Sequence, residues 1–341
     1  MAVAGPGREL EARRDLALKC RSCGTCRSVC PVFAEVGDEC SVARGKVALV
    51  RAVLDGQLGL SEIFDERLQR CLNCKACVDA CPNEVRVDDL ILAARSGLVE
   101  AGRLPFLKRF IFRQVLRRGR ILPPFTRLAS FVQRALLRGL PRDSAFRLLL
   151  PLAGIDRDRV LPEFADRAFL ETVPDVVPAT CSQPEGPLPG VAASGERVEL
   201  ARGAKRVGYF VGCATNLIYT ETGRVIVETL AASGVDVVIP KGQVCCGTPV
   251  FNAGDFETAR ELAMKNIELF RGLDVDAVVV GCASGGLAFK REYEELLGFE
   301  GGFPHPVFDF TEFLAYRGLP KAPQRDDAAG PTGPGAAGSR L

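Results

Sequence analysis

The chain has no tryptophan, only two methionines and a single histidine, His305. Mixed Cys/His zinc sites, Rieske-type ligation and Ser/His or Cys/His catalysis all need an imidazole beside the site. His305 stands between prolines in FPHPVF and reads as an exposed or capping residue in a turn. No apolar run approaches the length of a bilayer span. The one G-x-G-x-x-G string, GPGAAG (333–338), lies in the low-complexity tail rather than between a strand and a helix, and no P-loop occurs, so binding of FAD, NAD or ATP by the usual routes is not expected. The first residues, MAVAGPGRELEARRDLALK, contain no apolar stretch followed by a cleavage site. The expectation is a cytoplasmic chain in reducing surroundings, where a disulfide framework is disfavoured and metal or redox chemistry is the better reading of cysteine.

Cysteine is what the chain does have: fourteen, nine of them between residues 15 and 100. CRSCGTCRSVCP (20–31) and CLNCKACVDACP (71–82) share the spacing C-x2-C-x2-C-x3-C-P, that of ferredoxin-type [4Fe–4S] ligation. Three thiolates in a short loop wrap one face of a cubane, with backbone amides free to point at its sulfides. The fourth cysteine reaches the other cluster. On this pattern Cys20, Cys23, Cys26 and Cys81 hold the first cluster, and Cys71, Cys74, Cys77 and Cys30 the second. All-cysteine zinc sites are the alternative, but they show two separated C-x2-C knuckles rather than a triplet followed by Cys-Pro. The clusters must lie close together although forty residues separate Cys30 from Cys71. The intervening SVARGKVALVRAVLDG is therefore expected to pack as helix around them, in a helical rather than a small β-rich module. Cys40 lies outside the pattern and is expected to be a buried thiol; Cys181 is assigned no role.

The fold class expected is multidomain, α and α/β. Residues 1–100 form the α-helical ferredoxin module, 101–173 a basic helical middle segment, 174–204 a Pro- and Gly-rich linker, 205–318 an α/β domain with a parallel sheet, and 319–341 a disordered tail. In the α/β part, apolar runs at 206–212, 235–240 and 276–281 read as strands. Helical patterns at 217–234, which ends at Gly234, at 255–272 and from 282 to about 297 separate or follow them. Cys213, Cys245, Cys246 and Cys282 then fall at strand ends, where open α/β sheets bind ligands. Residues 101–150 carry twelve Lys/Arg against the single Asp143. Leu104, Leu107, Ile111 and Val115 recur at helical spacing there, with Arg109, Arg113, Arg117 and Arg120 on another face. An anionic membrane surface, an acidic partner protein and plain packing on neighbouring domains are the three readings of this segment. Nucleic acid is not expected, because no recognisable binding fold accompanies the charge.

Together, the two cysteine runs, ARGKVALVRAVLDG and the sequence GC…VCCG…C resemble the iron–sulfur subunit of glycolate oxidase. One of the subunits of anaerobic glycerol-3-phosphate dehydrogenase and the heterodisulfide-reductase-like proteins are close relatives of that family. The likeness covers about residues 15–318. The family's cysteine-rich domain carries a lone cysteine, a Cys-Cys-Gly and then C-x-x-C. Cys213, Cys245, Cys246 with Gly247, and Cys282 match it, and Gly285 stands where the last cysteine would be. Relatives usually carry two such domains. The resemblance implies two [4Fe–4S] clusters, a candidate third centre at Cys213, Cys245, Cys246 and Cys282, and no catalytic residue of the chain's own. It implies an FAD-containing dehydrogenase partner that oxidises glycolate or a similar 2-hydroxy acid. Electrons would pass through this chain to a quinone or another acceptor, at the inner face of a membrane or in the cytoplasm. The alternative is disulfide or thiol redox chemistry at the Cys-Cys-Gly domain.

Overall fold

The computed structural model of the chain describes residues 5–117, 164–180 and 194–318, together with Pro124, Arg127 and Phe131. The expected tail, Cys181 and most of the basic segment lie outside the described residues.

The N-terminal module is built on helices α1 (Arg14–Leu18), α2 (Ala43–Leu54), α3 (Glu62–Gln69) and α4 (Val87–Glu100). The expected helix between the cysteine runs is α2, which buries Val47, Val50, Val53 and Leu54. Ser61 caps α3 by accepting a hydrogen bond from the Phe64 amide at 3.2 Å. Between the runs, α2 closes tightly on a turn at Glu39–Ser41. A Cβ on Gly45 would lie 1.8 Å from the Glu39 carbonyl oxygen, so only glycine permits the approach. Cys40 sits on that turn and is exposed, against expectation. Asp38 accepts from the Cys40 amide at 3.1 Å and caps the turn, which buries Ser41 and Val42 and leaves the thiol outside.

The C-terminal domain is organised by a five-stranded sheet of order β1-β3-β2-β4-β5. The strands are β1 (Val176–Val177), β2 (Arg206–Phe210), β3 (Asp236–Val238), β4 (Ala277–Val280) and β5 (Val307–Asp309). The β2, β3, β4 and β5 pairings are parallel, as the alternation of strands and helices demands. Alternation along the strands makes two cores. Phe210, Val278 and Val280 pack with Phe251, Leu262, Phe270 and Phe289 on one face. Val207, Tyr209, Val237 and Val279 pack with Ile226, Leu230 and Phe313 on the other. Helices α6 (Glu196–Gly203), α7 (Thr220–Ala232) and α11 (Phe310–Arg317) cover the second face. Helices α8 (Thr248–Asn252) and α9 (Phe256–Arg271) cover the first, with α10 (Ala283–Leu287) and the π-helical turn Ala288–Glu292 that continues it. Gly234 follows α7 at a φ of 83°, as its reading as a helix terminator requires.

Several expectations need correction. Residues 174–204 are not simply a linker, because β1 adds to β3 as an antiparallel edge and α6 packs on the sheet. A two-residue strand and an eight-residue helix were hidden by the Pro/Gly-rich stretch between them, whose residues 181–193 lie outside the described set. The stretch 164–173 joins the α/β body rather than the basic segment, with Phe169 buried and the Leu170 amide bonded to Asn216 Oδ1 at 2.9 Å. In the basic segment, α5 (Phe106–Phe110) runs on into a π-helical stretch, Ile111–Leu116. Leu104 and Val115 are buried, as their spacing predicts, whereas Leu107 is exposed. Arg113 pairs with Asp255 at 2.9 Å and Arg117 with Glu261 at 2.6 Å, so this part of the segment packs on α9.

The two bodies meet through α4. Leu92 enters the core of the α/β domain, and Gly254, at a φ of +94°, lies against the Arg95 backbone. Arg86–Glu295 and Arg260–Glu9, each 2.9 Å, tie the periphery. A Cβ at Gly254 would come within 2.4 Å of the Arg95 carbonyl group. Gly254→Ala is therefore expected to destabilise the chain by about 1–3 kcal/mol in urea unfolding. Gly203→Ala, where an added Cβ meets nothing, should change stability by less than about 0.5 kcal/mol.

Candidate metal centres

Each cysteine run is delivered by a short helix whose end is clamped from outside. Arg51 of α2 donates to the Ala17 and Cys20 carbonyls at 2.6 and 2.8 Å, closing the end of α1. Arg95 of α4 donates to the Leu68 and Cys71 carbonyls at 2.7 and 2.8 Å, closing the end of α3 in the same way. The loops then coil alike. Ser22 and Gly24 in the first run, and Asn73 and Lys75 in the second, have left-handed φ values of 57°, 89°, 53° and 64°. Left-handed residues interleaved with right-handed ones turn successive N–H groups inward, forming a concavity suited to an anion.

The loops ring two cavities. One is lined by Cys20, Cys23, Cys26, Cys77 and Cys81. The other is lined by Cys30, Cys71, Cys74 and Cys77. Each draws on cysteines of both runs, and Cys77 lines both. The Val85 amide donates to Cys81 Sγ at 3.4 Å. Burial, with the neighbouring thiols adding, pushes the Cys77 thiol up to about 12. A thiolate at Cys77 is therefore disfavoured unless a cation compensates it. Lys46, nearly fully buried, lines the second cavity and has no carboxylate partner among the described ion pairs. Such a cation is costly unless an anion lies beside it. A tetrathiolate iron–sulfur cluster is such an anion, so the residues present fit the group. Among the described residues, no three His, Cys, Asp or Glu side chains are arranged to hold a single metal ion.

The remaining cysteines gather at the carboxyl edge of the sheet. Cys213 follows β2, Cys245 and Cys246 follow β3, and Cys282 follows β4. Cys245 and Cys246 are buried, while Cys213 and Cys282 are half-buried. The Cys245 thiol hydrogen-bonds toward both Cys213 and Cys246, which raises it well above the usual thiol range. The same bond lowers Cys213 to about 7, and lowers Cys246 too, whose sulfur lies 3.3 Å from Thr248 Oγ1. Beside Cys213 and Cys245 opens a cavity of about 770 Å³, with Lys241, Lys265 and Arg117 on its wall. The buried Tyr209 hydroxyl, close enough to Cys282 to be influenced by it, has no hydrogen-bond partner. Gly285 is buried beside Phe210, and a Cβ added there would meet the ring at an ordinary 3.5 Å.

Three buried polar side chains hold this arrangement, and sequence reasoning missed them all. Asn266 accepts from the Val244 amide and donates to the Cys245 carbonyl, both at 3.1 Å. Gln243 accepts from the Val211 amide at 2.7 Å and donates to Pro240 and Tyr209 carbonyls. Tyr293 donates to the Cys246 carbonyl at 3.0 Å. An asparagine on the apolar face of α9 was the one available signal. His305 lies in a bend, half-buried, with its Nε2 2.8 Å from the Phe270 carbonyl oxygen.

Comparison with known proteins agrees with this layout. A family described as "4Fe-4S dicluster domain" matches residues 16–85, and one described as "Cysteine-rich domain" matches residues 207–290. A probable glycolate oxidase iron–sulfur subunit of Bacillus subtilis is 33% identical over 283 residues, or 82% of this chain and 60% of that protein. The chain is similar to glycolate oxidase iron–sulfur subunits along most of its length. The Escherichia coli glycolate oxidase iron–sulfur subunit is 26% identical, over 82% of this chain and 58% of that protein. A subunit of the Escherichia coli anaerobic glycerol-3-phosphate dehydrogenase is also 26% identical, over 82% and 63%. The chain thus spans about 60% of the length of the first of these relatives. No solved structure gives a significant match. No helix among the described residues is long and apolar enough to cross a membrane.

Asn266→Leu leaves the Val244 amide and Cys245 carbonyl unpaired in a dry core. Its expected cost is about 2–4 kcal/mol, the sum of two orphaned groups. Cys245 and Cys246 should also react faster with a thiol reagent. Denaturant unfolding and timed thiol labelling measure the two effects.

Proposed function

We propose that this chain is an iron–sulfur relay. It takes electrons from an FAD-containing dehydrogenase that oxidises glycolate or a similar 2-hydroxy acid and passes them toward a quinone or other acceptor. One observation carries the reading: two cavities lined by cysteines of both runs adjoin each other at Cys77, and the second abuts the Cys-Cys-Gly domain. Asn73 and Lys75, on either side of Cys74, contact Asn252 at 2.9 Å and Glu292 at 3.0 Å. Asn252 ends α8, the helix that follows Cys245-Cys246-Gly247, and Tyr293 next to Glu292 holds the Cys246 carbonyl. In this reading Cys20, Cys23, Cys26 and Cys81 hold one [4Fe–4S] cluster, and Cys30, Cys71, Cys74 and Cys77 the other. Such clusters, when bound, accept and donate single electrons. The chain's own residues fix their separation and set the charge around them. Removal of hydride from a hydroxy acid falls to the flavoprotein.

A second reading rests on the sulfur cluster of Cys213, Cys245 and Cys246 beside the 770 Å³ cavity. There a third centre, or the thiols themselves, would exchange electrons with a disulfide or another acceptor.

Iron and acid-labile sulfide of the anaerobically purified chain separate these readings. About eight irons are expected for the two ferredoxin-type centres alone, and about twelve if Cys213, Cys245, Cys246 and Cys282 hold a third. Fewer than four irons would end the relay reading. Glycolate oxidation with an artificial acceptor should be absent from the chain alone and appear on adding the flavoprotein. Gly285→Cys, for which the structure has room, should fold normally. It should raise iron content only if the sheet-edge cysteines form a centre.

A further inference from the structure

The two halves of the ferredoxin module are related by an internal repeat, and the repeat is broken at one buried position. Arg51 and Arg95 play the same part in α2 and α4, each donating to the carbonyls that end a preceding helix and start a cysteine loop. Five residues before Arg51 stands Lys46; five before Arg95 stands Leu90. Lys46 is 2% exposed and donates to the Ser41 carbonyl, and its ammonium is close enough to Cys71, Cys30 and Cys77 to interact with all three. Leu90 is fully buried and brings no charge.

The other charges near the cavities do not cancel this difference. Asp88 also lines the second cavity, but Arg86 grips both of its carboxylate oxygens at 3.1 Å and Lys75 lies 3.7 Å away. Lys75 itself turns to Glu292 at 3.0 Å. Beside the first cavity, Arg44 is half-buried and close enough to Cys23 and Cys26 to interact with both, but its charge is offset by the ion pair with Glu39 at 2.9 Å. Arg51 and Arg95 contribute similarly to the two loops. Lys46 is left as a dry, unneutralised cation facing one set of cysteines.

We propose that Lys46 is the buried counter-ion of the centre held by Cys30, Cys71, Cys74 and Cys77, and makes it the more readily reduced of the two. An added electron makes that centre more negative, and a fixed positive charge in a water-poor site stabilises the reduced form more than the oxidised one. Electrons therefore collect on the side of the module that contacts the Cys-Cys-Gly domain. This inference rests on the reading of the module as a two-cluster carrier.

The test is an EPR-monitored redox titration of the full chain, purified anaerobically. Cys23→Ser and Cys74→Ser assign the two signals. In the unaltered chain the signal disturbed by Cys74→Ser should appear at the higher potential. Lys46→Met should lower the midpoint of that signal alone. Where this centre is half reduced in the unaltered chain, its reduced-to-oxidised ratio should fall at least about tenfold, a shift of about 59 mV for one electron. Lys46→Arg should restore it. If Lys46→Met fails to load iron, Lys46→Gln, which keeps a donor for Ser41, gives the same reading. Eight irons with both midpoints unmoved, moved equally, or in the reverse order would overturn the proposal. An unaltered chain far short of eight irons would instead overturn the two-cluster reading beneath it.

Discussion

Arg95 ties the ferredoxin module to the α/β domain. Its guanidinium reaches the end of α3 through the Leu68 carbonyl, the second cysteine loop through Cys71, and the α/β domain through the Asn252 carbonyl at 2.8 Å. A planar, always-charged donor suits this task, since its fork meets several carbonyls at once in one rigid geometry. The close approach of Gly254 to the Arg95 backbone follows from the same docking. The guanidinium is buried with its Nε unpartnered, so the clamp is held at some cost in desolvation. The position of the cysteine loop relative to Cys245 and Cys246 depends on this residue more than on any apolar contact between the bodies.

The clamp also explains why the module is symmetric in some features and not in others. Arg51 and Arg95 repeat, and so do the left-handed backbone positions of the two loops, because each loop must curl its amides around an anion of the same shape. The outer faces of α2 and α4 serve different neighbours. Helix α2 lies under the exposed turn at Glu39–Ser41, whereas α4 is buried along most of its length between its own module and the α/β core. Charge follows that division. The polar residues of the second loop are spent on Asn252 and Glu292, and those of the first face solvent or Glu39.

What the sequence made legible was whatever spacing alone specifies. Two cysteine loops of like shape follow from C-x2-C-x2-C-x3-C-P, and three parallel strands and their helices from apolar runs of the right period. The short pieces were not legible. β5 is three residues long, β1 two, and α6 opens with polar residues beside a Pro/Gly-rich stretch. Each is stabilised by the neighbour it adds to rather than by its own pattern. Cys40 was misread because burial was inferred from residue type, while its exposure is decided by the Asp38 cap. Asn266, Gln243 and Tyr293 act on backbone groups of distant loops, and no local motif marks such partners. Ser22 and Lys75 were likewise invisible, since nothing in their identity announces a left-handed backbone. Their conformation is imposed by the loop around them.

The charge balance of the ferredoxin module makes its folding and its metal content one problem. Lys46 and Arg95 are buried cations with no carboxylate partner among the described ion pairs, and Cys77 is held where an isolated thiolate is unfavourable. Taken separately, each of these groups destabilises the fold. Brought together around an iron–sulfur centre, their costs offset one another. The thiolates gain iron, the cluster's negative charge gains the ammonium and the inward amides, and the cations gain an anion in a medium of low dielectric. Hydrophobic contacts among Val47, Val50, Leu90 and Ile91 set the helices in place. They cannot by themselves satisfy the polar groups those helices bury. Metal-bound domains in which binding free energy is also folding free energy rest on the same balance. The Arg95 clamp links that balance to the neighbouring domain, because the loop that closes around the second cavity is also the loop that meets Asn252 and Glu292.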